Sequence, residues 1–191
     1  MYLGQEIDVI GSWFKLHFIE NEGMAFGMVF FGGFWGKFIL SMFRIFASVG
    51  IGWLIYKMLK KNLSWGLLIA MSLVFTGAVG NIIDCIFYGK IFSNSEYMGI
   101  IATLFPEGGG YAPFLQGKVV DMLQFDLFTI RFPAWFPFFG NSYFNFFPAV
   151  FNLADSSITV GLFAIILFFF KPLSHFIASF EKPKKDTVVK G

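Results

Sequence analysis

The stretch FNLADSSI, residues 151–158, places a carboxylate at the start of the last long apolar segment of the chain. No charged residue follows Asp155 before Lys171, and residues 146–151 are apolar as well. An ionisable residue at membrane depth is costly and is by default a candidate functional residue. Read as a helix, the stretch has four polar residues at i, i+3, i+4 and i+7 on one face: Asn152, Asp155, Ser156 and Thr159. This polar face is predicted to lie against protein or water and not against lipid.

Composition defines the class of protein. The chain has 191 residues, of which 57% are hydrophobic and 21% aromatic, whereas ordinary soluble domains are about 45–50% apolar. We therefore predict one integral membrane domain, mainly α-helical and monomeric. The formal net charge of +2 is too small to indicate a nucleic-acid partner. Cys85 is the only cysteine, which excludes an intramolecular disulfide and a metal site built from cysteines.

Three segments are apolar and long enough to span a bilayer, namely 38–56, 63–88 and 147–171. The first contains a single charged residue, Arg44. At about 1.5 Å per residue it just covers a hydrocarbon core of about 30 Å. The second is uncharged until Asp84. We therefore predict a bundle of three transmembrane helices.

The two other long segments predict a small β-sheet outside the membrane. Within residues 1–36, apolar and polar residues alternate from Phe14 to Phe18, which is the period of a half-buried strand. The aromatic, Gly-rich residues that follow are expected at the membrane interface. Residues 89–145 are rich in aromatic residues but are broken by Pro and Gly, which predicts strands and loops and no further span. Within this segment Asp121 lies in the apolar run GKVVDML.

Lysines concentrate at two places, the 57–61 loop and the tail 172–191. The positive-inside rule assigns both places to the cytoplasm, so that residues 1–36 and 89–145 lie outside. An external N-terminus without a preceding span or signal peptide leaves two alternatives open. Either the N-terminal segment crosses the membrane unaided, or a first transmembrane helix is missing from this chain.

The candidate chemical groups are carboxylates on the outer side. Asp121 and Asp155 are both assigned there, in apolar surroundings, and form a candidate acid pair. His17 and His175 are predicted on opposite sides, which argues against a two-histidine metal site and against a Ser-His-Asp triad that uses both. No metal or other cofactor is expected.

A second polar group lies at the outer end of the second span. Four of its residues have the spacing i, i+3, i+4 and i+7: Gly77, Gly80, Asn81 and Asp84. Small residues allow helices to approach closely, and Asn can form a hydrogen bond across the gap. Two interpretations stay open, a packing seam that ends at Asp84 or a part of a functional site.

Four sequence blocks together resemble a known family. They are NEGMAFG at 21–27, GAVGNIID at 77–84, VVD at 119–121 and FNLADS at 151–156. In this order they resemble the signature blocks of the lipoprotein signal peptidase (signal peptidase II) family. The resemblance implies an aspartic endopeptidase of the bacterial inner membrane, with four helices and a small extracytoplasmic sheet. Such an enzyme removes the signal peptide of diacylglyceryl-modified prolipoproteins and needs no cofactor.

The resemblance also assigns the site. It makes Asp121 and Asp155 the catalytic aspartates. Seven further residues are expected to line or support the site: Asn21, Gly23, Gly80, Asn81, Asp84, Asn152 and Ala154. The chain departs from the family in two respects. Family members usually begin with a transmembrane helix that has no counterpart here, and the residue after Asp84 is commonly Arg but is Cys85 in this chain.

Two other functions remain as alternatives. In a small transporter or proton relay, Asp84, Asp121 and Asp155 would titrate along a polar path between helices. In an inactive, truncated homologue, the same residues would have no chemical role. A relay needs carboxylates distributed in depth, whereas all three are predicted near the outer face. This distribution favours a protease whose partners are lipid-modified prolipoproteins and membrane lipid.

Overall fold

The computed structural model describes residues 1–22, 33–97 and 99–180. The helices are α1 (Gly33–Lys60), α2 (Trp65–Ile91), α3 (Leu153–Ala164) and α4 (Phe170–Ala178), and a π-helical turn, Ile165–Phe169, joins α3 to α4. The strands are β1 (Glu6–Ile10), β2 (Phe14–Asn21), β3 (Val119–Phe125), β4 (Phe128–Arg131), β5 (Tyr143–Phe146) and β6 (Val150–Phe151).

Within these described ranges, three helical segments are long and apolar enough to cross a membrane. They are α1 with 28 residues, α2 with 27, and the continuous run Leu153–Ala178 with 26. At about 1.5 Å per residue, each is about 40 Å long and exceeds a hydrocarbon core of about 30 Å. The prediction of a mainly helical membrane protein with a small antiparallel sheet is confirmed.

The first span begins earlier than the sequence predicted. Its helix starts at Gly33 and not at residue 38, and so includes Lys37. The Lys37 side chain is nearly buried, and its Nζ atom lies 2.6 Å from a carboxylate oxygen of Glu22. Because this ion pair balances the charge, Lys37 can lie in the first turns of an apolar helix.

The third span begins and ends later than predicted, at Leu153 and Ala178 instead of at 147 and 171. Pro148 has no N–H to donate, and the next residues, Val150–Phe151, pair with β3 as the short strand β6. The helix therefore starts only after Asn152. At the other end the helix continues through Pro172, which follows the π-helical turn. Residues 181–191, which hold most of the predicted basic tail, lie outside the described residues.

Four strands form an antiparallel sheet in the order β1-β2-β3-β6. Its central strand β3 pairs with β2, with Ile19 opposite Asp121. β4 and β5 form a separate two-stranded hairpin. Two hydrogen bonds fasten the segment before β3 to the helices: Gly117 N–H donates to the Cys85 carbonyl at 2.9 Å, and Ser41 Oγ donates to the Leu115 carbonyl at 3.0 Å.

α2 and α3 pack against each other through glycines. A Cβ atom on Gly77 would clash with the carbonyl oxygen of Ala154 and would lie 2.7 Å from Ile158 Cγ1. A Cβ atom on Gly161 would lie 2.6 Å from the Ala70 carbonyl oxygen. These close approaches need residues without a side chain, as in many helix pairs within membranes.

The helices have two distinct ends. The sheet end comprises the start of α1, the last turns of α2, the start of α3 and the four-stranded sheet. The turn end comprises the 61–64 connection between α1 and α2, together with α4. The main cluster of buried apolar side chains lies towards the turn end: Met58, Leu67, Leu68, Ala70, Met71, Val74, Ile165 and Phe176.

Candidate active site

Asn152 caps α3 and connects the polar residues at the sheet end. Its backbone is extended, and its side-chain oxygen accepts a hydrogen bond from the Asp155 N–H at 2.9 Å, which is the usual geometry of an Asn N-cap. The amide nitrogen of the same side chain donates to Asp121 Oδ1 at 2.8 Å and to Asn81 Oδ1 at 3.2 Å. The residue that starts α3 therefore also joins a strand to α2.

Asp155 lies in the first turn of α3, where its negative charge is favoured by the positive end of the helix dipole. Asn81 Nδ2, on α2, donates to Asp155 Oδ1 at 2.8 Å. Asn81 is only 7% exposed, so that this hydrogen bond lies between packed helices. The carboxylate of Asp155 is half-buried, which leaves it within reach of water or substrate.

Asp121 approaches the same network from β3. Its side chain is 3% exposed, and its Oδ2 accepts a hydrogen bond from Asn21 Nδ2, on β2, at 3.0 Å. Burial raises the pKa of the Asp121 carboxyl above its ordinary value, and the nearby charge of Asp155 acts in the same direction. Hydrogen bonds from Asn21 and Asn152 oppose part of this rise.

Asp84 lies beside this network on α2. It interacts with the backbone of Val120 and with the side chain of Tyr88, and it lies close enough to Asp121 and Asp155 for the charges to repel. Of the hydrogen bonds that join the two other aspartates through Asn81 and Asn152, none involves Asp84. Asp84 is therefore a neighbour of the acid pair and not a link in it.

The structure brings together most of the residues that the sequence singled out. Five of them form one hydrogen-bonded chain: Asn21, Asp121, Asn152, Asn81 and Asp155. Gly80 faces Ala154, and a Cβ atom on it would lie 3.2 Å from the Ala154 Cβ. Gly23 lies outside the described residues. Their roles in substrate binding and catalysis remain predictions.

The predicted polar face of α3 is shorter than its spacing suggested. Ser156 Oγ donates to the Asn152 carbonyl at 2.9 Å and so belongs to the start of the helix. Thr159, one turn further, is exposed. The polar stretch therefore ends after the first turn, because only that turn faces α2 and the sheet.

In the sequence Arg44 only interrupts the first span, but its side chain reaches this site. Arg44 Nη1 donates to Cys85 Sγ at 3.6 Å, and its charge lowers the pKa of Asp121. The signal was available, since the rule that singled out Asp155 applies equally to a guanidinium at membrane depth.

All three aspartates lie at the sheet end. Asp84 is on the last turns of α2, Asp121 on β3 and Asp155 on the first turn of α3. A relay would distribute its carboxylates along the depth of the membrane. The transporter or relay alternative is therefore not favoured.

Fold and site together define a class: a helical membrane protein that holds two carboxylates in one asparagine network beneath a small antiparallel sheet. The sequence profile of the family described as Signal peptidase (SPase) II matches residues 1–171. The chain therefore belongs to the signal peptidase II family.

Individual relatives agree with this assignment. The chain is 46% identical to a lipoprotein signal peptidase of Porphyromonas gingivalis (strain ATCC 33277) over 168 residues, which cover 87% of this chain and 71% of the relative. It is 42% identical to a lipoprotein signal peptidase of Amoebophilus asiaticus (strain 5a2) over 166 residues, or 86% of this chain and 64% of the relative.

The fold also has solved counterparts. One is described as a bacterial membrane enzyme structure obtained by the in meso method at 2.3 Å resolution. It matches with a TM-score of 0.51 and 26% identity and covers 100% of this chain and 80% of the other. A second bacterial membrane enzyme matches with a TM-score of 0.50 at 24% identity, which concerns the fold alone.

Proposed function

We propose that this protein is an aspartic endopeptidase that removes the signal peptide of diacylglyceryl-modified prolipoproteins, with Asp121 and Asp155 as its catalytic pair. Signal-peptide removal and protease activity follow from membership of the family. The aspartic mechanism and the roles of individual residues are the proposed part.

One observation carries the proposal: two aspartates from different elements are joined through two asparagine amides. Asn152 Nδ2 donates to Asp121 at 2.8 Å, and Asn81 Nδ2 donates to Asp155 at 2.8 Å. The two amides are linked to each other at 3.2 Å. Such a chain fixes both carboxyl groups without neutralising either, because an amide donates a hydrogen bond but carries no charge.

Two carboxyl groups in one site do not ionise independently, and the pair holds one proton near neutral pH. The ionised group accepts a proton from water while the water oxygen attacks the carbonyl carbon of the scissile peptide bond. The protonated group donates a hydrogen bond to the carbonyl oxygen and so stabilises the developing negative charge. The protonated group then gives its proton to the leaving nitrogen, and the C–N bond breaks. The proton taken from water stays on the other carboxyl group, so the pair again holds one proton.

The surroundings of the two groups differ, and the difference supports an assignment of the proton. Asp121 is 3% exposed, and burial raises the pKa of its carboxyl group. Asp155 is half-buried and lies at a helix N-terminus, which favours a negative charge. We therefore assign the shared proton to Asp121 and the activation of water to Asp155.

Cleavage of a lipidated prolipoprotein by the purified protein, followed by gel shift, tests the proposal. Asn is nearly isosteric with Asp but cannot exchange the proton, so Asp121→Asn and Asp155→Asn should each lower turnover by about 10²–10⁴-fold. Thermal unfolding in detergent should show that both variants remain folded. Near-normal cleavage by folded Asp155→Asn would overturn the aspartic mechanism.

Asp84→Asn is the matched control, since Asp84 is a third carboxylate at the same end of the molecule but lies outside the asparagine chain. It should keep more activity than either variant of the pair. A loss as large as that of Asp155→Asn would place Asp84 in the chemistry and would contradict the proposed pairing.

The proposed location is the bacterial inner membrane, with the sheet end on the extracytoplasmic side. Lysines near the turn end support this orientation by the positive-inside rule. In a Cys85→Ala background, a membrane-impermeant thiol reagent applied from outside should label Asn94→Cys and Asn141→Cys and spare Lys60→Cys. All three positions are exposed. Labelling at position 60 from outside would reverse the orientation.

A further inference from the structure

Arg44 is a guanidinium in the middle of α1, within a stretch, residues 38–56, that has no other charged residue. It lies in α1, where Lys37 and Lys57 are the nearest charged residues in the sequence on either side. Lys37 pairs with Glu22, near the start of the helix. A guanidinium at such a depth is costly unless a specific partner compensates for it, so its surroundings indicate what it does.

The side chain of Arg44 lies close to the candidate acid pair. Its Nη1 atom lies 3.6 Å from Cys85 Sγ, on the residue that follows Asp84. Cys85 is 2% exposed, and its carbonyl accepts the hydrogen bond from Gly117 that fastens the segment before β3 to α2. Arg44, on α1, therefore contacts the junction at Cys85, where α2 is joined to the segment before β3. This segment leads into the strand that carries Asp121.

Arg44 brings a positive charge to a junction that holds several carboxyl groups. Titratable groups reach it from every packed element: Asp84, Cys85 and Tyr88 on α2, Asp121 on β3, Asp155 on α3 and Arg44 on α1. Lys118, just before β3, is paired with Glu20 on β2 at 2.7 Å. The positive charge of Arg44 favours the ionised form of Asp121.

We propose that Arg44 is a positioning residue of the acid pair: held against Cys85, its guanidinium sets the pH range in which Asp121 and Asp155 share one proton. This proposal rests on the proposed function of the two aspartates. Arg44 would act on the pair through its charge and through the junction at Cys85, and it would not itself donate or accept the proton.

The pH profile of prolipoprotein cleavage separates this role from a merely structural one. Arg44 lowers the pKa of Asp121, so Arg44→Met should raise it. The alkaline limb of the profile, where Asp121 loses the shared proton, should then move to higher pH by about 0.5–1 unit, less than the shift of about 1–3 units that an opposite charge in close contact produces. Lys60→Met, which removes a cation from the far end of the same helix, should leave the profile unchanged.

A relocated guanidinium provides the second test. Because Cys85 Sγ lies 3.6 Å from Arg44 Nη1, an arginine at position 85 can place its guanidinium in the volume that Arg44→Met vacates. The double variant Arg44→Met/Cys85→Arg should therefore return the alkaline limb towards its wild-type position. Arg44→Lys, which keeps the charge but loses the planar fork, should shift the profile less than Arg44→Met.

The outcomes are distinct. An unshifted profile for folded Arg44→Met, or a shift that the double variant does not reverse, would overturn the role of Arg44. If Arg44→Met unfolds, the double variant and Arg44→Lys decide the question, because both keep a cation at the junction. An alkaline limb that moves to higher pH in both would overturn the role of Arg44. Full activity of Asp121→Asn or Asp155→Asn would instead refute the proposed function itself.

Discussion

The two ends of the helical bundle differ in the polar side chains that they bury. At the turn end the buried residues are apolar, and Met58 and Leu67 are 0% exposed. At the sheet end the buried residues include Asn81 and Asp121, at 7% and 3% exposed. The same helix, α2, contributes to both ends. Its first turns pack in the apolar cluster, and its later turns contact the start of α3.

The difference separates stability from chemistry. Apolar side chains at the turn end fill space between helices, and they need only shape and volume. The sheet end holds carboxyl groups that are costly to bury and that remain there only because asparagine amides satisfy them. Substitutions at the sheet end should therefore reduce turnover more than stability, and those at the turn end should do the reverse.

The largest expected effect concerns the acid pair as a unit. Asp121→Asn/Asp155→Asn should cost little more turnover than either single change, each of which costs about 10²–10⁴-fold, because one missing partner already disables the shared proton. A double-mutant cycle on single-turnover rates measures this. If the double variant lost turnover by the product of the two single losses, the two carboxyl groups would act independently, and the proposed pairing would be wrong.

At the turn end, Leu67→Ala should lower the free energy of unfolding, because it leaves a cavity in a packed cluster. The loss should lie near the lower limit of the usual range of about 2–5 kcal/mol, because the unfolded helix exposes Leu67 to lipid and not to water. Cleavage per folded molecule should not change. Ile69→Ala, on the same helix but 59% exposed, is the control and should cost far less. A loss of turnover with unchanged unfolding for Leu67→Ala would contradict the division between the two ends.

Gly77 lies on the seam between α2 and α3 and should affect both properties. In Gly77→Val the side chain would meet the Ala154 carbonyl and Ile158, so α3 must move, at a cost of about 1–3 kcal/mol. Asp155 moves with α3, and turnover should fall in parallel with the melting temperature. Gly50→Ala on α1, where a Cβ atom meets nothing within 4 Å, should leave both unchanged. Unaltered turnover for Gly77→Val would show that the seam does not position the acid pair.

Much of the fold follows from local pattern. Long uncharged runs predicted the three spans, and the alternation near Phe14 predicted a strand that the structure extends to Asn21. The ends of two spans differ from the predicted ones. Lys37 lies inside α1 because it pairs with Glu22, and residues 150–151 form a strand because β3 lies beside them. Each of these differences depends on a residue that is distant in sequence or on a neighbouring element.

The sequence singled out most residues of the candidate site but not the hydrogen bonds that join them. The carboxylates in apolar surroundings and the four family blocks pointed to Asp121 and Asp155. That Asn152 caps α3 and contacts both Asp121 and Asn81 depends on three elements meeting at one point. The charge of Arg44 within an apolar run was visible in the sequence, but its contact with Cys85, 41 residues away, depends on two helices meeting.

The sequence by itself determined the class of protein, predicted the three spans that the described residues contain and singled out the two aspartates of the proposed acid pair, because hydropathy and charge are properties of single residues and short windows. Tertiary structure alone decided how the acids are joined, which of them is more deeply buried and which cation stands near them. Hydrogen bonds and burial depend on distances between elements, and those distances are fixed only when the sheet packs against the ends of the helices.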